Sequence, residues 1–309
     1  MTTGAMTEQH APGLSVDWLN AWLAAIGICV LVPEVRLRWS DDPVPHACFS
    51  IPDHLGPLAE VVGERLPDEG AMRELAIARE LEGHRDLARK VSLQDYRDRA
   101  GLARHSGDTT LSATVTDLSS DPKRADDLPH SPFDPAVPKG LTLWQRALAC
   151  RQAVSGPARQ VEASLQGRAD RVPANGLGFD ARRLVGAVVD ADKTVDPVVE
   201  LLAFQALALF PWRGRPRTGR DNGPDRFEQR ARAWTDRPTQ PGAFRWCAWS
   251  PSLDRWAVDA LLDALPTGRS ARDTALARRL GVTAWYHSVA YKAMSTSDAT
   301  RAYAGERET

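Results

Sequence analysis

The stretch DPVVELLAFQALALFP (Asp196–Pro211) decides the fold class. Asp196-Pro197 opens a helix running from Val198 to Leu209 that is apolar nearly all round. A helix without a polar face belongs in an interior, since a surface helix keeps charged residues on one side. Phe210-Pro211 ends it. Outward from this buried element, the N-terminal part predicts a second helix, with Ser15 or Asp17 as its cap and Trp18, Leu19, Trp22, Leu23 and Ile26 on one face. Gly27 is expected to end or bend that helix. Val35–Trp39 and Val44–Ile51 then read as two extended runs around Ser-Asp-Asp-Pro (Ser40–Pro43), the pattern of a β-hairpin.

Downstream the signals alternate between helix and extended chain. Asp53 to His105 is charged and helical in pattern, broken at Leu66–Gly70, with an amphipathic stretch from Ser92 to Ala103. Ser119 to Lys139 carries five prolines and reads as a long loop. Helices follow over Leu141–Val154 and from Gly156-Pro157, and Pro173–Gly176 has turn chemistry. After the central helix, Phe244, Trp246 and Trp249 predict a strand. Leu253, Trp256, Ala257, Ala260, Leu261 and Leu265 predict one face of a helix. Ser270–Leu280 predicts a short helix and Val282–Tyr291 an extended or mixed segment. There is no internal repeat and no regular βαβ alternation. The class is therefore α+β, mostly helical with an N-terminal β-hairpin and short strands. Residues 1–14 are expected to be disordered and 296–309 to be a polar tail. Residues 15–295 are expected to form one large domain, with two lobes divided near 119–139 as the alternative.

The 309 residues are 43% hydrophobic and 26% charged, enough for a sizeable core. Net charge is −1, from 39 basic and 40 acidic side chains. Free-standing nucleic-acid binders draw affinity from a basic excess, so any such contact here has to be local or shared with a partner. No basic leader precedes an apolar run, and the apolar stretch Leu23–Val32 is too short to span a bilayer, which predicts a cytoplasmic protein.

Catalytic motifs are missing from the pattern. Asn175-Gly-Leu-Gly178 lacks the lysine and third glycine of phosphate loops. There is no nucleophile elbow and no zinc-protease motif. Seven histidines stand apart without HD or HxH spacing. Cys29, Cys48, Cys150 and Cys247 are dispersed, without CxxC pairs, and read as buried free thiols. No metal ligand, cofactor site or catalytic residue follows. The alternative is a nuclease or hydrolase using Asp117, His130 or Asp134, which requires those groups to converge; turn-capping aspartates explain the two carboxylates as well. A stand-alone helical scaffold is a further alternative.

The positive signal lies directly after the buried helix. Trp212, Arg213, Arg215, Arg217 and Arg220 form a loop with no acid among its arginines, and glycine and proline keep it from coiling into a helix. Guanidinium forks match phosphate oxygens and an indole can stack on a base. Between Trp212 and Arg237, eight arginines stand against four acids, Asp221, Asp225, Glu228 and Asp236.

Several segments, taken in order, also carry a family resemblance: Leu19-Asn-Ala-Trp-Leu-Ala-Ala-Ile-Gly27, Thr116-Asp-Leu118, Ser131-Pro-Phe-Asp-Pro135, Gly178-Phe-Asp180, Pro197-Val-Val-Glu-Leu-Leu-Ala-Phe204 and Leu209-Phe-Pro211. Their order, spread over residues 15–265, resembles CRISPR-associated subunits of type I-G (formerly I-U) systems, including the helicase–nuclease extension family. The resemblance implies a non-catalytic subunit of a crRNA-guided complex, contacting other effector subunits, crRNA or target DNA. By the same resemblance, Phe210-Pro211, Arg213 and Arg215 belong to a nucleic-acid-facing surface. The chain departs from an ordinary RNA-binding subunit in its neutral charge, and it lacks HD and helicase motifs.

Overall fold

Asp196 begins the central helix by direct capping. In the computed structural model its Oδ1 accepts from the amides of Val198 and Val199, at 3.0 and 3.2 Å, and from the Ser164 hydroxyl at 3.0 Å. Pro197 follows at the first helical position, where its missing N–H costs nothing. The structure describes residues 5–69, 90–92, 94, 105, 127–129, 143–174, 176–178, 180, 182, 193–210, 212–216, 227–231, 244–265, 271–291 and 302–308. Most of the helix expected over 92–103 and of the loop expected over 119–139 lies outside these residues.

In chain order the elements are β1 (Met6–Ser15), α1 (Leu19–Leu31), β2 (Arg36–Trp39), β3 (His46–Pro52), α2 (Leu58–Arg65), β4 (Lys90–Ser92), β5 (Asp127–Pro129), α3 (Leu143–Gln152) and α4 (Pro157–Leu165). They continue with β6 (Val172–Pro173), β7 (Thr194–Val195), α5 (Pro197–Ala206), β8 (Trp212–Pro216), β9 (Phe227–Ala231), β10 (Arg245–Trp249), α6 (Arg255–Ala264), α7 (Ala271–Arg279), β11 (Val282–Tyr291) and β12 (Ala302–Arg307). The pairings among these strands are all antiparallel. Two three-stranded sheets, β1-β3-β2 and β10-β11-β12, accompany two-stranded ribbons β4-β5, β6-β7 and β8-β9. The fold is α+β.

Among the described residues, helices α1 and α5 pack against each other more extensively than any other helix pair. Gly27 makes this possible. A Cβ there would overlap the Leu202 carbonyl oxygen, so the residue does not end α1 but admits α5 at close range. Helix propensity predicts a break at glycine; backbone approach overrides it. Ser15 and Asp17 bond to each other, and Trp18, at the N-cap position before α1, gives the helix no side-chain cap.

Tryptophan indoles tie both large sheets to this pair. Trp22 of α1 donates to the Cys247 carbonyl at 2.9 Å, Trp246 to Val16 at 2.6 Å and Trp249 to Leu37 at 3.0 Å. Leu37 and Leu253 also exchange backbone hydrogen bonds at 2.7 and 3.0 Å, linking β2 to the approach to α6. Trp22 lies with Phe210, Phe244, Trp246 and Trp249 in one buried aromatic cluster, with ring centroids 5.8–6.4 Å away. Trp256 departs from its expected apolar face: it is 66% exposed, while Val258, Leu261 and Leu262 bury α6.

Both chain ends depart from the expectation drawn from their composition. Residues 6–15 form β1, with Ala11 and Leu14 fully buried, where disorder is expected from their polarity. The expected polar tail contains β12, which pairs with β11; Gly305 donates to the Asp17 carbonyl at 3.0 Å. An edge strand gains its hydrogen bonds from one neighbour and needs little apolar character of its own. The Ser40–Pro43 turn, by contrast, joins β2 and β3 as the alternation predicts. No helix among the described residues is long and apolar enough to cross a membrane.

Candidate functional site

Trp212, Arg213 and Arg215 lie on β8, which pairs with β9 to make a ribbon rather than an irregular loop. Arg213 stands in register with Arg230, and Arg215 with Glu228. Glycine and proline between the arginines read as loop residues, yet Trp-Arg-Gly-Arg-Pro also has the period of a strand, and a partner strand further along the chain is what selects between them. Arg217 and Arg220 lie outside the described residues, as do Asp117, His130 and Asp134. Phe210 is corrected: only 2% exposed, it packs edge-on against Phe244 with centroids 5.8 Å apart, so it belongs to the core rather than to an exposed surface.

A second cluster lies on the outer face of the β1-β3-β2 sheet. Pairing brings His10 of β1 and Arg38 of β2 opposite Cys48 of the central strand β3, while His46 lies two residues before Cys48 and therefore on the same face. His10 Nδ1 is 2.9 Å from His46 Nε2 and 3.6 Å from Cys48 Sγ. One donor atom from each of the three residues lies within 4.8 Å of the others. The thiol is buried although it is on the polar face, because the longer side chains beside it cover it.

Carboxylates surround the three. Glu8 Oε1 is 3.2 Å from His10 Nε2 and is itself held by Arg38, whose Nη2 and Nε donate to the two carboxylate oxygens at 2.7 and 2.9 Å. Asp42 Oδ2 is 3.1 Å from His46 Nδ1. The Ser40 hydroxyl donates to Asp42 at 2.8 Å and accepts from the His46 amide at 3.1 Å. The Arg38 hydrogen bond keeps Glu8 below the ordinary glutamate value. Burial lowers His46 against the opposing pull of Asp42, and burial pushes the Cys48 thiol up to about 11. Two imidazoles with a thiol can hold a proton or a metal ion.

No family model, curated protein or solved structure matches the chain. The functional reading therefore rests on its own residues.

Two clefts elsewhere are built from groups already engaged with one another. One of about 390 Å³ is lined by Arg171, Arg182 and Asp196 beside the fully buried Asp180, which accepts from both arginines at 2.9 and 3.2 Å. The other, of about 570 Å³, contains Arg245, which stacks on Trp285 at 3.7 Å and grips Glu308 with contacts of 2.8–3.1 Å.

The His–Cys cluster has no counterpart among the residues that sequence pattern singles out. His46-Ala-Cys48 places a histidine two residues from the thiol, a spacing that becomes informative once Val44–Ile51 is read as a strand. His10 carries no such signal, because the small and polar residues 1–14 predict no structure that would bring it near.

Proposed function

We propose that the protein is a non-catalytic interaction subunit of a crRNA-guided antiviral complex in the cytoplasm, contacting partner subunits and nucleic acid through the arginine-bearing ribbon β8-β9. The crRNA-guided assembly is what the resemblance of the ordered segments implies; the nucleic-acid contact is supported by the register that sets Arg213 opposite Arg230 on a ribbon separate from both three-stranded sheets. The ten residues of the ribbon's two strands include three arginines and one glutamate in a chain of net charge −1, which concentrates positive charge locally. A two-stranded antiparallel ribbon fits the major groove of B-form DNA, and Trp212 supplies a ring on which a single-stranded base can stack.

Replacing Arg213, Arg215, Arg217 and Arg220 together with alanine tests it. Binding to a labelled RNA or DNA duplex should weaken and its salt dependence should flatten, by roughly 0.9 in log–log slope for every duplex phosphate that is no longer neutralised. A variant that binds with unchanged affinity and slope removes the ribbon from any nucleic-acid surface.

A further inference from the structure

We propose that His10, His46 and Cys48 bind one divalent transition-metal ion, and that zinc matches the donor set best. The argument turns on where the imidazole hydrogens reside. Ionised carboxylates only accept hydrogen bonds. His46 Nδ1 faces Asp42 Oδ2 at 3.1 Å and Ser40 Oγ at 3.1 Å, and the Ser40 hydrogen is already directed at Asp42. Both neighbours of Nδ1 are therefore acceptors, so Nδ1 carries the hydrogen and Nε2 presents its lone pair. His10 Nε2 faces Glu8 Oε1 at 3.2 Å, which places its hydrogen there and leaves Nδ1 bare.

Two neutral imidazoles so arranged point lone pairs at each other across 2.9 Å. Moving the His10 hydrogen to Nδ1 relieves that contact only by turning the Nε2 lone pair onto the Glu8 carboxylate. The pair thus calls for one additional positive charge between its inward nitrogens, either a shared proton or a metal ion.

The third group favours the metal. A shared proton needs two bases; here a thiol converges on the same point. In a tetrahedral zinc site with bonds of about 2.0–2.1 Å to nitrogen and about 2.3 Å to sulfur, adjacent nitrogen and sulfur ligands are separated by roughly 3.6 Å, and adjacent nitrogens by roughly 3.3 Å. The His10–Cys48 separation is 3.6 Å, and the 2.9 Å between the nitrogens needs only a small opening. A carboxylate on the far nitrogen of each imidazole is the arrangement that orients metal-bound histidines and raises their basicity. Imidazole with thiolate selects borderline-soft ions over calcium or magnesium. Binding replaces the Cys48 S–H bond with a metal–thiolate bond, and the proton leaves to solvent. Three protein donors leave a fourth tetrahedral position to water on the side where His10 is exposed.

The experiment uses the full chain, stripped of metal with a chelator and titrated with zinc by calorimetry and with cobalt(II) by absorption. The expected result is one ion per chain, with visible cobalt bands of tetrahedral intensity and a thiolate-to-cobalt charge-transfer band in the near ultraviolet. Cys48→Ser should abolish the charge-transfer band, and Asp42→Asn should weaken zinc binding about 10–100-fold, the cost of losing such an outer partner. Absence of saturable uptake overturns the proposal in favour of the shared proton. A charge-transfer band that survives in Cys48→Ser also overturns it, since another thiol then binds the ion. If Cys48→Ser does not fold, His46→Gln takes its place, with an unchanged cobalt spectrum as the overturning result.

Discussion

In the β1-β3-β2 sheet the central strand carries Cys48 between His10 and Arg38, whereas in the β10-β11-β12 sheet the central strand carries His287 between Arg245 and Glu306. Both faces therefore combine histidine, arginine and carboxylate, but they differ in what stands beside the histidine. Around His287 the carboxylates of Glu306 and Glu308 stand 3.7 and 3.8 Å from the ring nitrogens, and Arg245 closes on Glu308 with short bonds. The arginine is paired with a carboxylate there, and among the described residues no thiol or second imidazole joins the ring. Around Cys48 the arginine is likewise spent on a carboxylate, but two imidazoles and a thiol remain aimed at one another. A histidine beside a carboxylate is thus an ordinary surface feature; a second histidine and a thiol in cross-strand register make it a ligand set.

The two sheets share one support, and removing it should erase the contrast. Trp22 is fully buried, contacts the aromatic cluster beneath β10 and gives its indole N–H to the Cys247 carbonyl. Trp22→Ala should destabilise the protein by about 3–5 kcal/mol, the usual cost of emptying a tryptophan site. Chemical denaturation measures it, and a cost under about 1 kcal/mol would mean that the cluster does not join the sheets.

A smaller change should break the second sheet alone. Glu308 and Arg245 are mostly shielded, with side-chain exposures of 14% and 8%, so their ion pair counts for more than a surface one. Glu308→Ala should cost about 1.5–3 kcal/mol, as for other hydrogen bonds to charged groups. It should loosen β12, detected as faster amide exchange over residues 302–307, and should leave cobalt binding at His10, His46 and Cys48 unchanged. Loss of the cobalt spectrum in this variant would show that the two faces are not independent.

How far these features can be read in the sequence follows from how local their causes are. Helix α5 is legible because an aspartate, a proline and an uninterrupted apolar run act within one segment. The β2-β3 hairpin is legible because its turn lies between its strands. Gly27 misleads, since the reason for a glycine there is the Leu202 carbonyl of a helix far along the chain. Strands β1 and β12 are hidden because an edge strand takes its order from a partner, and polar stretches such as Met6–His10 and Ala302–Arg307 advertise none. The His–Cys cluster inherits that blindness: one half lies in a readable hairpin and the other in a strand with the composition of a disordered terminus. The arginine ribbon stands out by composition alone, and its pairing with β9 lies outside what composition carries.

The smallest effect concerns the carboxylate that serves both an arginine and a histidine in the first sheet. Arg38 holds Glu8 below its ordinary value of 4.5, so the folded state favours the ionised form. The resulting stability is present above that value and is lost as the pH falls through the lower folded value, where the folded and unfolded carboxyls are both protonated. Glu8 is 40% exposed, which leaves solvent to screen most of the attraction, so the contribution is only about 0.2–1 kcal/mol. Glu8→Gln should therefore remove a shallow acid-side slope from the stability profile and barely alter stability at neutral pH. Its sharper consequence lies in the metal site. The substituted amide can still accept from His10 through its carbonyl oxygen, but it no longer fixes the hydrogen on Nε2 by charge. Cobalt affinity at neutral pH should consequently fall by more than stability does, and equal, small changes in both would reduce Glu8 to a surface ion pair with no part in orienting the ligand.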